Sequence, residues 1–293
     1  MRIRLHLVIA TLVSSFCTLQ THAAPNKAPA KLPGGWVLDW NDEFNGTKLD
    51  EKKWKCELGV IRNHGASQSY TEDCVKVKNG KLHLISKAEK TPNPNYDPNS
   101  QRWVAKIKEQ PHASGSVTTR GIREFAAPGR LEFRAKIPKA KGVWPAIWTM
   151  HVNKYSWPAN GEIDILEHIS QEPNHVYSLF RWAKEDMKRE HKVVHVTTVP
   201  DYSKEFHTYV LEWDDENMRI LIDDKEVGAV KIEEATYANG DNPLRSPCFI
   251  IMNTAIGGPG TWPEKPNDAD YPVTFVIDYV RYYTKKGTKR KRK

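Results

Sequence analysis

The chain predicts an all-β fold of two packed antiparallel sheets, on three observations. Short runs alternating polar and apolar residues recur along it, at 81–86, 116–119, 130–137 and 218–222. Period-two alternation puts successive side chains on opposite faces of a strand, so each run has one apolar face to bury. Turn-forming pairs separate the runs, Asn79-Gly80, Pro128-Gly129 and Asp223-Asp224 among them, as strands closed by tight turns require. Helical periodicity is weak throughout, amounting to a turn near 184–189 and another near 231–237. Many short strands with no helices between them pack as a sandwich rather than as a helix-covered parallel sheet.

From its start, Met1-Arg2-Ile3-Arg4 is basic, residues 5–19 are mostly apolar, and Thr21-His22-Ala23 offers a small-x-small cleavage site. Residues 1–23 therefore have the form of a secretory signal peptide. No later stretch reaches the ~20 apolar residues that a membrane-spanning helix needs. The mature protein is expected to be soluble and secreted, extracellular or periplasmic, with no membrane span. Residues 24–33, rich in Pro, Ala and Lys, are expected to be a disordered leader. From 34 to 284 neither a linker nor an internal repeat interrupts the chain, as in a single large β domain. Residues 285–293 form a basic tail with seven cations, Lys285, Lys286, Lys289, Arg290, Lys291, Arg292 and Lys293.

That tail decides what the formal net charge of +8 means. Without its cations, Arg2 and Arg4 of the signal, and Lys27 and Lys31 of the leader, the domain is slightly acidic. A basic isoelectric point otherwise suggests a nucleic-acid partner. Here the cations sit in a terminus and not on a face with interleaved aromatics, so no nucleic acid is expected. The tail suits adhesion to anionic polymers, or no task at all. Of the four cysteines, Cys17 leaves with the signal. An oxidising compartment permits Cys56 to pair with Cys74, and Cys248 is expected to be a buried strand thiol. No Cys or His spacing fits zinc, and a monomer is expected.

The stretch Gly161-Glu162-Ile163-Asp164-Ile165-Leu166-Glu167-His168 places three carboxylates within six residues. On a helix, at about 100° per residue, Glu162 and Asp164 would point about 200° apart. On a strand they share a face, and Ile163 and Ile165 turn to the core. Glu167 then falls on the wrong face unless one extra residue near Ile165 or Leu166, a β-bulge, restores it; bulges are over-represented beside active sites. Like charges a few ångströms apart raise one another's pKa, so one of the three is expected to hold a proton at neutral pH. A protonated acid beside an ionised one is the pair that glycoside hydrolysis uses. In the retaining form one carboxylate attacks the anomeric carbon and the other, about 5–5.5 Å away, protonates the leaving oxygen. A hard-cation site and a solvated acidic face compete with this explanation. The first usually draws on loops and carbonyls as well, and Trp144, Trp148 and Trp157 just upstream suit sugar rings better than bulk water. The residues alone do not order the two glutamates.

The stretch from Glu162 to Glu167 resembles the Glu-x-Asp-x-x-Glu signature of glycoside hydrolase family 16, in the bulged form of its laminarinase-like and galactan-cleaving branches. Other segments are similar to the same family: Gly35-Trp36 with Asp42-Glu43-Phe44-Asn45-Gly46, then Gly142-Val143-Trp144-Pro145-Ala146-Ile147-Trp148. Phe206-His207-Thr208-Tyr209 and Phe275-Val276-Ile277-Asp278-Tyr279-Val280-Arg281 extend the likeness, which runs from about 36 to 283. It implies a β-jelly-roll sandwich of two curved antiparallel sheets whose concave face is a substrate cleft.

It further implies Glu162 as nucleophile, Glu167 as general acid/base and Asp164 as the neighbour that orients the nucleophile or shares its proton. Trp144 and Trp157 resemble cleft positions, and Trp148 serves either core or cleft. Trp262, in the glycine-rich loop 257–263, is expected to be exposed and to bind substrate. Arg181 stands about where laminarinase-like relatives commonly carry histidine. It either steadies Glu162 or Asp164 as a counter-ion or reads an acidic substituent on the sugar. Asn63 resembles the family's substrate-loop asparagine, although an insertion is present and the usual acidic residue is absent. The family's structural calcium would take the Asp278 carboxylate and the carbonyls of Glu43 and Gly80. No cofactor is expected for catalysis.

The implied activity is that of a secreted retaining endo-hydrolase of a β-linked polysaccharide, with β-1,3- or mixed-linkage β-1,3/1,4-glucan first. A hydrolase of sulfated galactans such as agar, porphyran or carrageenan is the enzyme alternative. A non-catalytic glucan-binding protein is the alternative from another class, since fold alone does not separate binder from enzyme.

Overall fold

The computed structural model describes residues 27–61, 65–184 and 190–285. The signal peptide, Cys17, Asn63, residues 185–189 and the tail after Lys285 lie outside the described residues. The strands, numbered along the chain, begin with β1 (Lys31–Leu32), β2 (Trp36–Asp42), β3 (Lys55–Cys56), β4 (Gln68–Tyr70) and β5 (Val75–Lys78). β6 (Lys81–Ser86), β7 (Thr91–Pro92), β8 (Glu109–Gln110), β9 (His112–Ser114) and β10 (Ser116–Thr118) follow. Next are β11 (Gly129–Lys136), β12 (Val143–His151), β13 (Glu162–Glu167), β14 (His175–Ala183) and β15 (Glu190–Thr198). The last are β16 (His207–Trp213), β17 (Asn217–Ile222), β18 (Lys225–Lys231), β19 (Cys248–Ile256) and β20 (Val273–Lys285).

Two sheets form the sandwich. One runs β1-β2-β20-β11-β16-β17-β18, with β6 also paired to β20 and β5 to β6. The other runs β15-β14-β13-β12-β19-β10-β3, and every pairing within both sheets is antiparallel. The expected turns close the hairpins. Asn79 and Gly80 between β5 and β6, and Asp223 and Asp224 between β17 and β18, all adopt positive φ, the conformation of a tight hairpin turn. The core lies between the sheets, where Leu131, Phe133 and Tyr209 of one meet Ile147, Ile163 and Phe180 of the other, all fully buried.

The seven-stranded sheet is apolar on both faces near its centre. Ile147, Ile250 and Met252 point into the core, while Ala146, Trp148, Phe249 and Ile251 form a second cluster with Met150 on the other side. A strand buried on both faces reads as a continuous apolar run, which explains the sequence Cys248-Phe249-Ile250-Ile251-Met252. Phe180 lies at the middle of the core with none of its surface exposed. Phe180→Ala is therefore expected to cost about 3–5 kcal/mol, measured as a lower denaturant midpoint at unchanged slope.

Three expectations need correction. Part of the leader is ordered, because Lys31 and Leu32 pair with Val37 and Trp36, so the sandwich starts before residue 34. At the other end Lys285 is the last residue of β20, opposite Trp36, and belongs to the sheet rather than the tail. Cys56 and Cys74 are free thiols, as is Cys248. Cys56 lies in β3 of the seven-stranded sheet and Cys74 in the 3-10 turn Glu72–Cys74 just before β5. Burial pushes the Cys56 thiol up to about 11, which leaves little reactive thiolate at neutral pH. Residues Ile232–Ala235 do form a helical turn, of the 3-10 kind.

Candidate active site

The acidic stretch is β13, a central strand of the seven-stranded sheet. Gly161, just before it, has φ +85°, a conformation that side-chain-bearing residues seldom adopt. On β12, Met150 faces Glu162, Trp148 faces Asp164 and Ala146 faces Glu167. Five residues of β12, 146–150, thus span six of β13, 162–167, because the register shifts beside Trp148 and Ile165 is the unmatched residue. The pairing with β14 shifts in the same place, between Asp164 and Glu167, and the Ser178 hydroxyl donates to the Ile165 carbonyl at 3.1 Å. Ile165 and Leu166 both go into the core. Glu162, Asp164 and Glu167 therefore emerge on one face, the face away from the core, as a bulge requires.

Each glutamate is held by an indole. Trp157 Nε1 donates to Glu162 Oε2 at 3.0 Å, and Trp144 Nε1 donates to Glu167 Oε1 at 3.0 Å. Arg181 of β14 is directly opposite Glu162. Its Nε is 3.2 Å from Glu162 Oε1, its Nη2 3.9 Å from Asp164 Oδ2 and its Nη1 2.9 Å from Glu190 Oε1. Trp157 is 46% exposed and Trp262 40% exposed. Trp262 stands edge-on to Trp144 and to Tyr177, so an aromatic wall adjoins the Glu167 end and Trp157 adjoins the Glu162 end. Trp148 lies on the cleft face but is nearly covered, and its Nε1 donates to Asn253 Oδ1 at 2.7 Å.

Burial first, then the negative charges of Glu162 and Glu167, hold the Asp164 carboxyl well above its ordinary range. Burial and the Glu162 charge push Glu167 up to about 7. The hydrogen bond between Asp164 and Glu162 also raises the Asp164 carboxyl, and the Arg181 guanidinium and the Trp157 indole N–H face Glu162. A carboxyl of raised pKa beside a second acid on one face can protonate a leaving group while the second attacks an electrophilic carbon. If Glu167 delivers the proton, its raised pKa keeps it protonated up to about 7. Then kcat/KM is expected to fall as pH rises through about 7, not through the ~4.3 of an ordinary glutamate. A pH-rate profile of the free enzyme checks this.

Of the three residues expected to hold calcium, the one expected to give a carboxylate, Asp278, is engaged by cations. Asp278 accepts from Arg134 Nη1 at 2.6 Å and lies 3.4 Å from Lys81 Nζ. The Glu43 carboxylate takes a two-pronged pair of bonds from Arg281, at 2.9 and 2.8 Å. Gly80 is a turn residue with φ +68°. Calcium is held by an excess of oxygen donors. Two cationic side chains on the one carboxylate offset the charge that calcium would draw on there. Among the described residues no group of three His, Cys, Asp or Glu side chains could hold a metal.

Sequence reasoning missed Glu190, Tyr177 and Asn253. Asn253 faces Ala146 across β12 and β19, and its Nδ2 donates to the Tyr70 hydroxyl at 3.0 Å. Tyr177 faces Glu167 across β13 and β14. Strand register would have revealed both, but register between distant segments is not written in either one alone.

A family model described as "Glycosyl hydrolases family 16" matches residues 64–281. Glucan endo-1,3-beta-glucosidase A1 of Niallia circulans is 31% identical over 268 residues, covering 85% of this chain and 38% of that relative. The chain thus spans well under half of that protein. Glucan endo-1,3-beta-glucosidase of Cryptopygus antarcticus is 31% identical over 266 residues, covering 86% of this chain and 93% of its own length. A solved structure from work on endo-acting O-glycanases with which human gut bacteria initiate mucin breakdown superposes with a TM-score of 0.85 at 47% identity, covering 88% of this chain and 94% of that one.

Proposed function

Because the chain belongs to glycosyl hydrolase family 16, we propose that it is a retaining endo-β-glycoside hydrolase in which Glu162 is the nucleophile and Glu167 the general acid/base. Glu162 attacks the anomeric carbon, the glycosidic bond breaks, and the Glu167 proton goes to the departing oxygen. The glycosyl ester on Glu162 is then released by water, whose proton returns to Glu167. Asp164 donates to the nucleophile and holds it in place. The observation that carries this assignment is the bulge that turns Glu162 and Glu167 to one face, each capped by an indole N–H. An endo mode is supported by the width of the floor: six spacings of ~4.8 Å across seven strands give roughly 29 Å, room for several sugar rings.

The substrate class is β-1,3- or mixed-linkage β-glucan, supported by the glucanases among the relatives. Mucin-type O-glycans are a second candidate with a specific observation behind them, since the O-glycanase structure is 47% identical whereas those glucanases are 31% identical. Arg181, in place of the histidine that laminarinase-like chains commonly carry, is a departure from the glucanase pattern, and an acidic substituent such as sulfate on a galactan is what it would read if it meets substrate. Export rests on residues 1–23, which lie outside the described residues; no helix among the described residues is long and apolar enough to cross a membrane.

Product analysis after digestion of laminarin, mixed-linkage glucan, sulfated galactans and mucin O-glycans tests the proposal. Internal cleavage of glucan supports the first class. Oligosaccharide release from O-glycans with glucan untouched transfers the assignment to the second. Intact substrates throughout, with binding retained, would leave a carbohydrate-binding protein.

A further inference from the structure

Arg181 meets Glu162 in a way that a guanidinium seldom meets a carboxylate. Its planar fork ordinarily makes two parallel hydrogen bonds to one carboxylate, as Arg281 does with Glu43 in this same protein, at 2.9 and 2.8 Å. Toward Glu162 the nearest nitrogen is Nε, at 3.2 Å, and its N–H is not aimed at an acceptor. The shorter contact is on the far side, where Nη1 lies 2.9 Å from Glu190. Glu190 opens β15, the edge strand of the seven-stranded sheet, two residues before Lys192, which faces Arg181. Strand alternation puts Glu190 on the same face as Lys192 and Arg181.

We propose that Glu190 is a positioning residue for the nucleophile: by gripping the far end of the Arg181 guanidinium, it keeps Arg181 beside Glu162 but prevents the two from closing into a two-pronged ion pair. The proposal rests on Glu162 being the nucleophile. A carboxylate that attacks carbon loses its charge on forming the ester, so any interaction made with that charge in the ground state adds to the barrier. One misaligned contact favours the ionised form at smaller cost than a fork would. Glu190 also leaves Arg181 paired once Glu162 is esterified, so the guanidinium is never without a counter-charge in a partly buried site. Among the described residues of β13, β14 and β15, the charged or titratable groups sharing this face with Arg181 are Glu162, Asp164 and Glu167, His175 and Tyr177, and Glu190 and Lys192. Of these Glu190 makes the shortest contact to Arg181.

The test is Glu190→Gln, with Glu190→Asp as the conservative partner. Freed from Glu190, Arg181 swings toward the acids, and its charge lowers the pKa of Glu167. The Gln variant is expected to lose kcat several-fold at little changed KM. The alkaline limb of kcat/KM should move down by ~0.5 pH unit or more, and the Asp variant should recover most of both. A Gln variant with the parent's kcat and limb overturns the proposal. So does one whose activity falls only in step with its melting temperature. If the parent cleaves nothing on the substrate panel, the hydrolase assignment fails by itself. Carboxyl 13C NMR then decides for Glu190: Glu167 titrating at lower pH in the Gln variant upholds the grip, and an unmoved titration overturns it.

Discussion

Glu162→Gln is expected to lower kcat by on the order of 10⁴ or more, while oligosaccharide affinity stays within a few-fold. The amide keeps the size of the carboxyl and can still accept from Trp157 Nε1, which bonds Glu162 Oε2 at 3.0 Å. The surrounding cleft is therefore undisturbed. An amide oxygen is too weak a nucleophile to form the glycosyl ester, and losing one member of a nucleophile–acid unit costs about as much as losing the unit. Steady-state kinetics with calorimetric titration of an oligosaccharide separate the two effects. A variant that turns over like the parent removes Glu162 from the mechanism; one that loses binding and turnover together points to a structural role.

Glu167→Ala should discriminate between leaving groups. On a natural substrate the departing alkoxide needs a proton, and general acid catalysis contributes about 10²–10⁴-fold. On an aryl glycoside with an acidic phenol the departing oxygen needs none, so formation of the glycosyl ester should be nearly unaffected. The alkaline limb set by Glu167, whose pKa burial and Glu162 push up to about 7, should also vanish. Comparing kcat/KM for the two substrate types across pH reads both outcomes. Equal losses on both would mean that Glu167 does not supply the proton.

How much of this was legible in the sequence depended on how local the signal was. The hairpin turns could be read because Asn79-Gly80 and Asp223-Asp224 carry their conformational preference in two residues. The bulge could be read because a carboxylate at Glu167 shares a face with Glu162 only if one residue is extra, and the register shift falls at Ile165. The indole caps on Glu162 and Glu167 could not, since Trp144 and Trp157 reach their partners through strand register and a loop path that spacing does not encode. The counter-ion role of Arg181 was anticipated from charge, but its second partner, Glu190, lies on a strand whose pairing is set by the whole sheet. Cys56 and Cys74 looked pairable by separation alone and are free thiols. For Asp278 the neighbouring cations Arg134 and Lys81 come from two other strands, so the motif carried the carboxylate without the charges that occupy it.

The central claim is that Glu162 and Glu167, turned to one side by the bulge, cleave a glycosidic bond by two successive displacements at the same carbon. The most direct measurement is 1H NMR of the anomeric proton while a β-linked oligosaccharide is being cleaved, before mutarotation sets in. Two inversions predict that the first-formed reducing end is the β-anomer. An initial α-anomer would mean that water attacks directly, and would contradict a covalent role for Glu162.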